Sequence, residues 1–339
     1  MERIGVLIGG NWIIDQVKVI DVYPEEEQLT SIMSERTSNG GSAYNILKDL
    51  AMLKADFPLA GVGLVGDDDR GSFIIEECKS LGINIDQVHQ LESHSTSYTD
   101  VMTVKSTGKR TFFYQKGANA KLNETHFDFS ISNAKIFHLG YLLLLDELDE
   151  LLPDGTTRAA HLFKMAKAQG FLTSTDVVSE KSDRFHEVIS PSLPFIDFLF
   201  VNEYEAAKLT DVKTVNPNGT VNLENCYSAA IKLIEKGVQS WVILHFPEGA
   251  IAVDKQGNRI FQACINLPVD EIAGAVGAGD AFAAGILLGI HNGHDMEYCL
   301  KLGICAAASC LLASTSSDGL MPVDDVLMLA TRYGFKSFV

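Results

Sequence analysis

The strongest constraint on the fold of this chain is a rhythm: short apolar runs of strand length alternate with amphipathic stretches of helix length. Ile4 to Ile8 reads as a buried strand. GSAYNILKDLAMLK then places Ile46, Leu47, Leu50 and Leu53 on one helical face. PLAGVGLV (58–65) is a second strand, and RGSFIIEECKSLG a helix that ends at Gly82, a residue suited to a helix C-terminus. The pattern continues with FLTSTD and a polar helix, FIDFLFV and NEYEAAKL, and the helix ENCYSAAIKLIEKG before the strand WVILHF. Strands and helices in strict alternation predict a parallel sheet covered by helices.

Two segments break the rhythm. IIDQVKVIDVY (13–23) and the pair SYTDVMTV and RTFFYQ, joined by KSTGK, are strands with no helix between them. They predict a small antiparallel sheet inserted into the main pattern, placed as a lid over a site at the strand ends. PEEEQ and VNPNGTVN read as surface turns. The 339 residues suit one large α/β domain or two smaller ones, and either buries a sizeable core. A formal net charge of −17 argues against a general nucleic-acid binder, which needs a basic face, but leaves room for a small anion in a local pocket. The six cysteines form no C-x-x-C pair and no zinc spacing, which fits reduced, buried thiols in a cytosolic protein. The N-terminal apolar run is too short for a signal peptide, and AFAAGILLGI falls far below the roughly 20 residues that span a bilayer. The expectation is a soluble, cytoplasmic protein.

Four stretches carry candidate chemistry. GVGLVG (61–66) matches the glycine spacing of a dinucleotide loop, but Asp67, Asp68 and Asp69 stand where a pyrophosphate would sit. Strand glycines packed under a helix are the expectation there. GAVGAGDAFAAG (274–285) fits an anion site: Gly277, Ala278 and Gly279 lead into an apolar helix, and bare backbone N–H groups at a helix start attract a phosphate. Asp280 beside such an anion is placed to orient or deprotonate an attacking hydroxyl, although the same residue also suits an N-cap on a packing helix. Asn202 and Glu205 have the spacing of a capping box, and equally supply hard oxygens for magnesium-bound water at the edge of the sheet. Asn11 and Asp15 after the first strand, and Gly40, Gly41 and Asn45 in NGGSAYN, suit sugar hydroxyls or turns and caps.

In their order along the chain these pieces resemble the ribokinase-like (PfkB-type) carbohydrate kinases. GGSAYN with GVGLVGDDDRG looks like the first signature of that family and GAGDAF like the second; KGANAKL (116–122) and the N-x-x-E of Asn202 and Glu205 lie between them. The resemblance covers nearly the whole length. It implies one α/β domain over 1–339: a doubly wound, mostly parallel sheet flanked by helices, with a small inserted antiparallel lid from about 13–38 and 96–118. It implies transfer of the ATP γ-phosphoryl group to a sugar or nucleoside hydroxyl, with Asp280 as base and Gly277, Ala278 and Gly279 as anion hole. Asn11, Asp15, Gly40, Gly41, Asn45 and Asn119 then meet the sugar, Asn202 and Glu205 organise Mg²⁺ through water, and Gly249 lies near the ATP phosphates. The lid edges often pair between subunits in such kinases, which makes a homodimer the expected assembly, with neither nucleic acid nor membrane as partner.

Two stretches depart from the family pattern. Gly274, Ala275 and Val276 stand where a carboxylate and a hydroxyl are usual, which argues against a potassium requirement. LHFPEG keeps only Gly249 of the usual Thr and Gly, and His245 reads as a loop residue without a chemical role. The leading expectation is an ATP-dependent sugar kinase, its nearest rival a nucleoside kinase. A non-catalytic sugar or nucleotide binder on the same scaffold is the alternative from another class.

Overall fold

The computed structural model describes residues 2–337. The chain enters through β1 (Val6–Gly10) and leaves at once for a hairpin, β2 (Ile13–Ile20) and β3 (Ile32–Gly40). It returns through α1 (Ser42–Met52), β4 (Leu59–Gly66), α2 (Asp69–Ser80) and β5 (Asn84–Leu91), and a second excursion makes β6 (Ser97–Val104) and β7 (Arg110–Gln115). β8 (Ile136–Leu142), α3 (Arg158–Ala168), β9 (Leu172–Val177), the short α4 (Phe185–Ile189) and β10 (Phe198–Asn202) follow. Then come α5 (Glu203–Thr210), α6 (Leu223–Glu235), and the strands β11 (Trp241–Phe246), β12 (Gly249–Asp254) and β13 (Arg259–Ala263). Three helices finish the chain: α7 (Ala278–His291), α8 (Met296–Leu311) and α9 (Val323–Tyr333).

Nine strands form the main sheet in the order β13-β12-β11-β10-β9-β8-β1-β4-β5. Its pairs are parallel from β5 to β11 and antiparallel at β11–β12 and β12–β13. Strand period explains why both faces are covered: Val6 and Ile8 of β1 join the core under α1, α7 and α8, while Leu7 joins the opposite core with Phe137, Phe163 and Leu233. Each fully buried aliphatic or Phe side chain contributes about 1.5–3 kcal/mol, so the two layers carry most of the stability. Helices α7 and α8 cross closely because glycine meets glycine: a Cβ on Gly285 would come within 2.9 Å of Gly303 Cα.

The second sheet has the order β3-β2-β6-β7. Its outer pairs are antiparallel, as the hairpin sequences require, but the central β2–β6 pair is parallel from Ile13↔Ser97 to Ile20↔Val104. Two hairpins leaving the main sheet at the same edge are joined side by side, so their first strands run the same way. The first strand also begins two residues later than the apolar run suggests, with Ile4 half exposed. GVGLVG is β4; Gly61 packs under α1 as expected, with Leu47 Cδ1 3.1 Å from where its Cβ would be, and Gly61 and Gly63 also make room for an indole. A Cβ on Gly61 would lie 2.7 Å from Trp12, one on Gly63 would strike the same ring, and Trp12 Nε1 donates to Val62 O at 2.9 Å.

Candidate active site

The parallel strands all end at one edge, and a cavity of about 580 Å³ opens there between the main sheet, the start of α7 and the four-stranded sheet. In open α/β sheets ligands bind outside the carboxyl ends of the strands. Its floor is the first turn of α7. Gly277 precedes the helix with φ +77°, and a Cβ there would also come 2.5 Å from Ser316 O, so two independent reasons require glycine. No side chain caps this helix. The first N–H groups of any α-helix lack intrahelical acceptors and carry the positive end of its dipole, which is chemistry that suits an anion.

Asp280 lies in that turn and is almost completely buried. Tyr141 Oη, from the end of β8, donates to both carboxylate oxygens at 2.8 Å, and Asn45 Nδ2 donates to Oδ2 at 2.7 Å. Asn45 is itself held by Asn39, whose Nδ2 reaches Asn45 Oδ1 at 2.6 Å and Ser317 Oγ at 2.8 Å. Burial and the nearby Asp176 charge push the Asp280 carboxyl up to about 7, against the downward pull of Asn45 and Tyr141. Burial likewise raises Asp15 on β2 to about 7, with a hydrogen bond to Thr99 pulling the other way. Asp176, near the end of β9, takes a hydrogen bond from Ser42 Oγ at 2.7 Å on one oxygen, while Oδ1 has no donor among the described residues.

The opposite wall is the start of α5. Asn202 Oδ1 accepts from Glu205 N at 2.9 Å and Glu205 Oε2 accepts from Asn202 N at 2.8 Å, which is a complete capping box. Ser179 Oγ and Asn202 Nδ2 donate to Glu205 Oε1 at 2.7 and 2.9 Å. Burial raises Glu205 to about 8. The roof comes from the small sheet: Ile13 and Asp15 of β2, Thr99 of β6, and Arg110, Phe112 and Tyr114 of β7.

The site is thus a buried carboxylate at the uncapped start of a helix, under a separate β-sheet. The pattern of the pfkB family carbohydrate kinases matches residues 10–323. The chain belongs to that family. This kinase is 28% identical over 292 residues to an ATP-dependent ribose-1-phosphate kinase of Halopiger xanaduensis, covering 86% of both chains. It is 26% identical to an Arabidopsis thaliana ribokinase (91% of this chain, 76% of that one). A guanosine-inosine kinase of Exiguobacterium acetylicum is also 26% identical, with 95% and 98% covered. Among solved structures, Arabidopsis thaliana ribokinase with ribose and ATP superposes with a TM-score of 0.79 at 24% identity, covering 97% of this chain and 99% of the other. The family makes the chain an ATP-dependent phosphotransferase.

Of the residues picked from the sequence of the kinase, Asp15, Gly41, Asn45, Asn202, Glu205, Gly277, Gly279 and Asp280 meet at the cavity. Gly41 takes φ +82° before α1, and a Cβ there would come 2.5 Å from Asn11 O. The other picks stand behind the wall. Ala278 is the first residue of α7, and Gly40 packs against the Asp15 carboxylate, where a Cβ would clash. Asn11 is fully buried, donating to Leu144 O at 3.2 Å and accepting from Tyr141 N at 2.9 Å, so it braces the segment that carries Tyr141. Asn119 brackets Trp12, accepting from its N and donating to its O, both at 3.1 Å. Gly249 opens β12 and packs on Gln262 O of β13, away from the cavity lining.

His245 corrects the reading of LHFPEG as loop: it is in strand β11, paired opposite Asn202, and lines the cavity with its ring 5.3 Å from Phe282. Burial lowers it to about 4, so it presents a neutral ring. Sequence reasoning missed Tyr141, Asp176, Thr99 and Arg110. An acid near the end of a strand, as in FLTSTD, is the one local signal that marks Asp176. Among the described residues no three His, Cys, Asp or Glu side chains group to hold a metal, and no helix is long and apolar enough to cross a membrane.

Proposed function

We propose that this kinase transfers the γ-phosphoryl group of ATP to a hydroxyl of a pentose, hexose or related sugar. The reading rests above all on Asp280: one carboxylate, buried, aimed by Tyr141 and Asn45, in the uncapped first turn of α7. The acceptor lies under the small sheet, with Asp15, Gly41 and Asn45 against its hydroxyls. Asp280 takes the proton from the attacking hydroxyl as the phosphoryl group moves. The backbone N–H groups of Gly277, Ala278 and Gly279 offset the charge that develops on the transferred group. Tyr141 holds the carboxylate in place through both oxygens.

Mg²⁺ fits the opposite wall. Glu205, Asn202 and the unpartnered Asp176 Oδ1 are hard oxygen donors around one cavity, and their spread suits an ion that keeps its own waters. When bound, Mg²⁺ supplies charge neutralisation of the donor phosphates. The neutral His245 adds none. We place the protein in the cytoplasm, as a single domain whose lid is the four-stranded sheet. The lid's exposed Ile32, Met33 and Phe113 support a homodimer through that sheet, which sedimentation at two concentrations tests.

The relative that acts on guanosine and inosine favours a nucleoside acceptor as the second reading. ADP release with magnesium-ATP over a panel of pentoses, hexoses and nucleosides decides between them, with Asp280→Asn alongside. Turnover on a sugar, lost in the variant, is the expected result. Full activity in Asp280→Asn would overturn the assignment of the base, and a panel with no turnover would favour a binding protein.

A further inference from the structure

Four carboxylates line the cavity (Asp15, Asp176, Glu205 and Asp280), and Arg110 is the one arginine or lysine among the described residues that line it. A guanidinium so close to that many acids normally finds one. This one does not: it makes no hydrogen bond and no ion pair with any described residue. Elsewhere in the lid, Lys18 pairs with Asp100 and Arg36 Nη1 donates to Ser314 Oγ at 3.0 Å.

Strand geometry shows how Arg110 is held apart. Residues 110, 112 and 114 of β7 share the cavity face by the two-residue period. Tyr114 is level with Thr99, and through it with Asp15; Phe112 is one step further out against Val101; Arg110 is two steps out, against Thr103. That puts its Cα about 13 Å along the strand from Tyr114. Phe112 lies between Arg110 and Tyr114 along that face of the strand. The guanidinium nevertheless lies within electrostatic reach of the Cys310 thiol. Cys310 Sγ contacts Val276 O at 3.3 Å and Ser316 O at 3.1 Å, and Ala275, Val276 and Gly277, the segment that leads into α7, line the same cavity as Arg110. It is half-buried, and this loss of water disfavours its charge with no counter-ion to restore the balance.

We propose that Arg110 is the anion receptor of the lid, its guanidinium pairing with a phosphate or carboxylate that a substrate carries into the cavity. The proposal rests on the reading of this cavity as a phosphoryl-transfer site. Two sources share the chemistry: the γ-phosphate of the donor, and an acidic substituent on the acceptor, as in a sugar phosphate. Arginine suits either, because its planar fork matches an oxyanion with two parallel hydrogen bonds.

The test uses the full chain and the variants Arg110→Gln and Arg110→Lys, with dissociation constants by calorimetry for ribose, ribose 1-phosphate, ribose 5-phosphate and magnesium-ATP. Arg110 has no side-chain partner to lose, so the melting temperature without ligand should stay unchanged and separate binding effects from misfolding. If the acceptor brings the anion, Arg110→Gln weakens a ribose phosphate about 10- to 100-fold and leaves magnesium-ATP alone. If the donor brings it, magnesium-ATP weakens by that factor and the ribose phosphates do not. In either case Arg110→Lys recovers part of the loss, because it keeps the charge without the fork. Dissociation constants within twofold of the parent chain for every anionic probe would overturn the proposal. Binding loss in a protein that turns over no acceptor would refute the kinase reading and leave the receptor standing, so the two failures are distinct.

Discussion

Helices α5 and α7 both start at the edge of the cavity, and their first turns are finished in opposite ways. Asn202 and Glu205 close α5 with side chains, each accepting the other's backbone N–H. Gly277, Ala278 and Gly279 leave α7 without any such cap. A side-chain cap satisfies the helix from within and makes its start a structural end point. A bare start keeps its donors for a ligand, with the Asp280 carboxyl as the acid in the first turn that faces that end of the helix dipole. The carboxylates follow the same division. Glu205 receives two hydrogen bonds from Asn202 that bind it to its own turn and a third from Ser179, whereas Asp280 is held only from outside, by β8 and α1.

The sharpest way to break this comparison is at Asp280. Asp280→Asn removes the proposed base with little change of shape, and kcat should fall by about 10²–10⁴-fold in a coupled ADP assay. Unchanged kcat would put α7 on the same footing as α5. Next comes the cradle. Gly279→Ala meets only His245 at 3.8 Å, an ordinary contact, so it should leave the melting temperature alone while lowering kcat by about 10- to 100-fold as the methyl intrudes on the proposed anion site. Gly277→Ala should lose stability as well, about 1–3 kcal/mol by denaturant titration, because φ +77° and Ser316 O both oppose a Cβ.

The pH dependence has a definite sign. Asp280 has to be ionised to accept a proton, so kcat/KM should fall about tenfold per pH unit below about 7. Asp176→Asn deletes a charge that raises Asp280 and should move this acid limb to lower pH; a limb that stays put would separate the two acids. Stability runs the other way. A carboxyl raised from 3.8 to about 7 favours folding fully below 3.8, and that contribution is lost as pH rises through 7. Asp280→Asn, which does not titrate, should therefore gain in melting temperature relative to the parent chain between pH 4 and pH 8. The smallest effect belongs to α5: Asn202→Ala should cost about 0.5–2 kcal/mol through the lost cap. A higher magnesium requirement in the same variant would give α5 a share in the chemistry and soften the contrast.

The parts of this molecule legible in its sequence are those whose determinants are local. The central strands are apolar because both faces are buried, and the capping box is readable because its partners stand three residues apart. β5, NIDQVHQL, escaped because an edge strand keeps polar residues, with only Gln87 and Val88 buried. The pairing in the lid was legible as hairpins but not in the parallel contact between them, which only the shared exit from the main sheet decides. The candidate site was readable at its glycines and at Asp280, where backbone conformation leaves a mark in composition. Tyr141 lies 139 residues from the acid it orients, and no local spacing connects them. Asn11 and Asn119 are buried beside the cavity and brace backbone there, a role that looks the same in sequence as facing a ligand.

Trp12 sits where the chain passes from the main sheet into the lid. Its indole fills the notch left by Gly61 and Gly63, and Asn119 grips its peptide from both sides. A cover pinned so firmly at its root has little freedom to swing from that end. Opening then has to come from flexing along β2, β6 and β7, which keeps Asp15 and Thr99 near the sheet while the far end, with Phe112 and Arg110, travels most. The acceptor pocket would stay shaped between turnovers, and exchange of reactants would be governed by the lip alone.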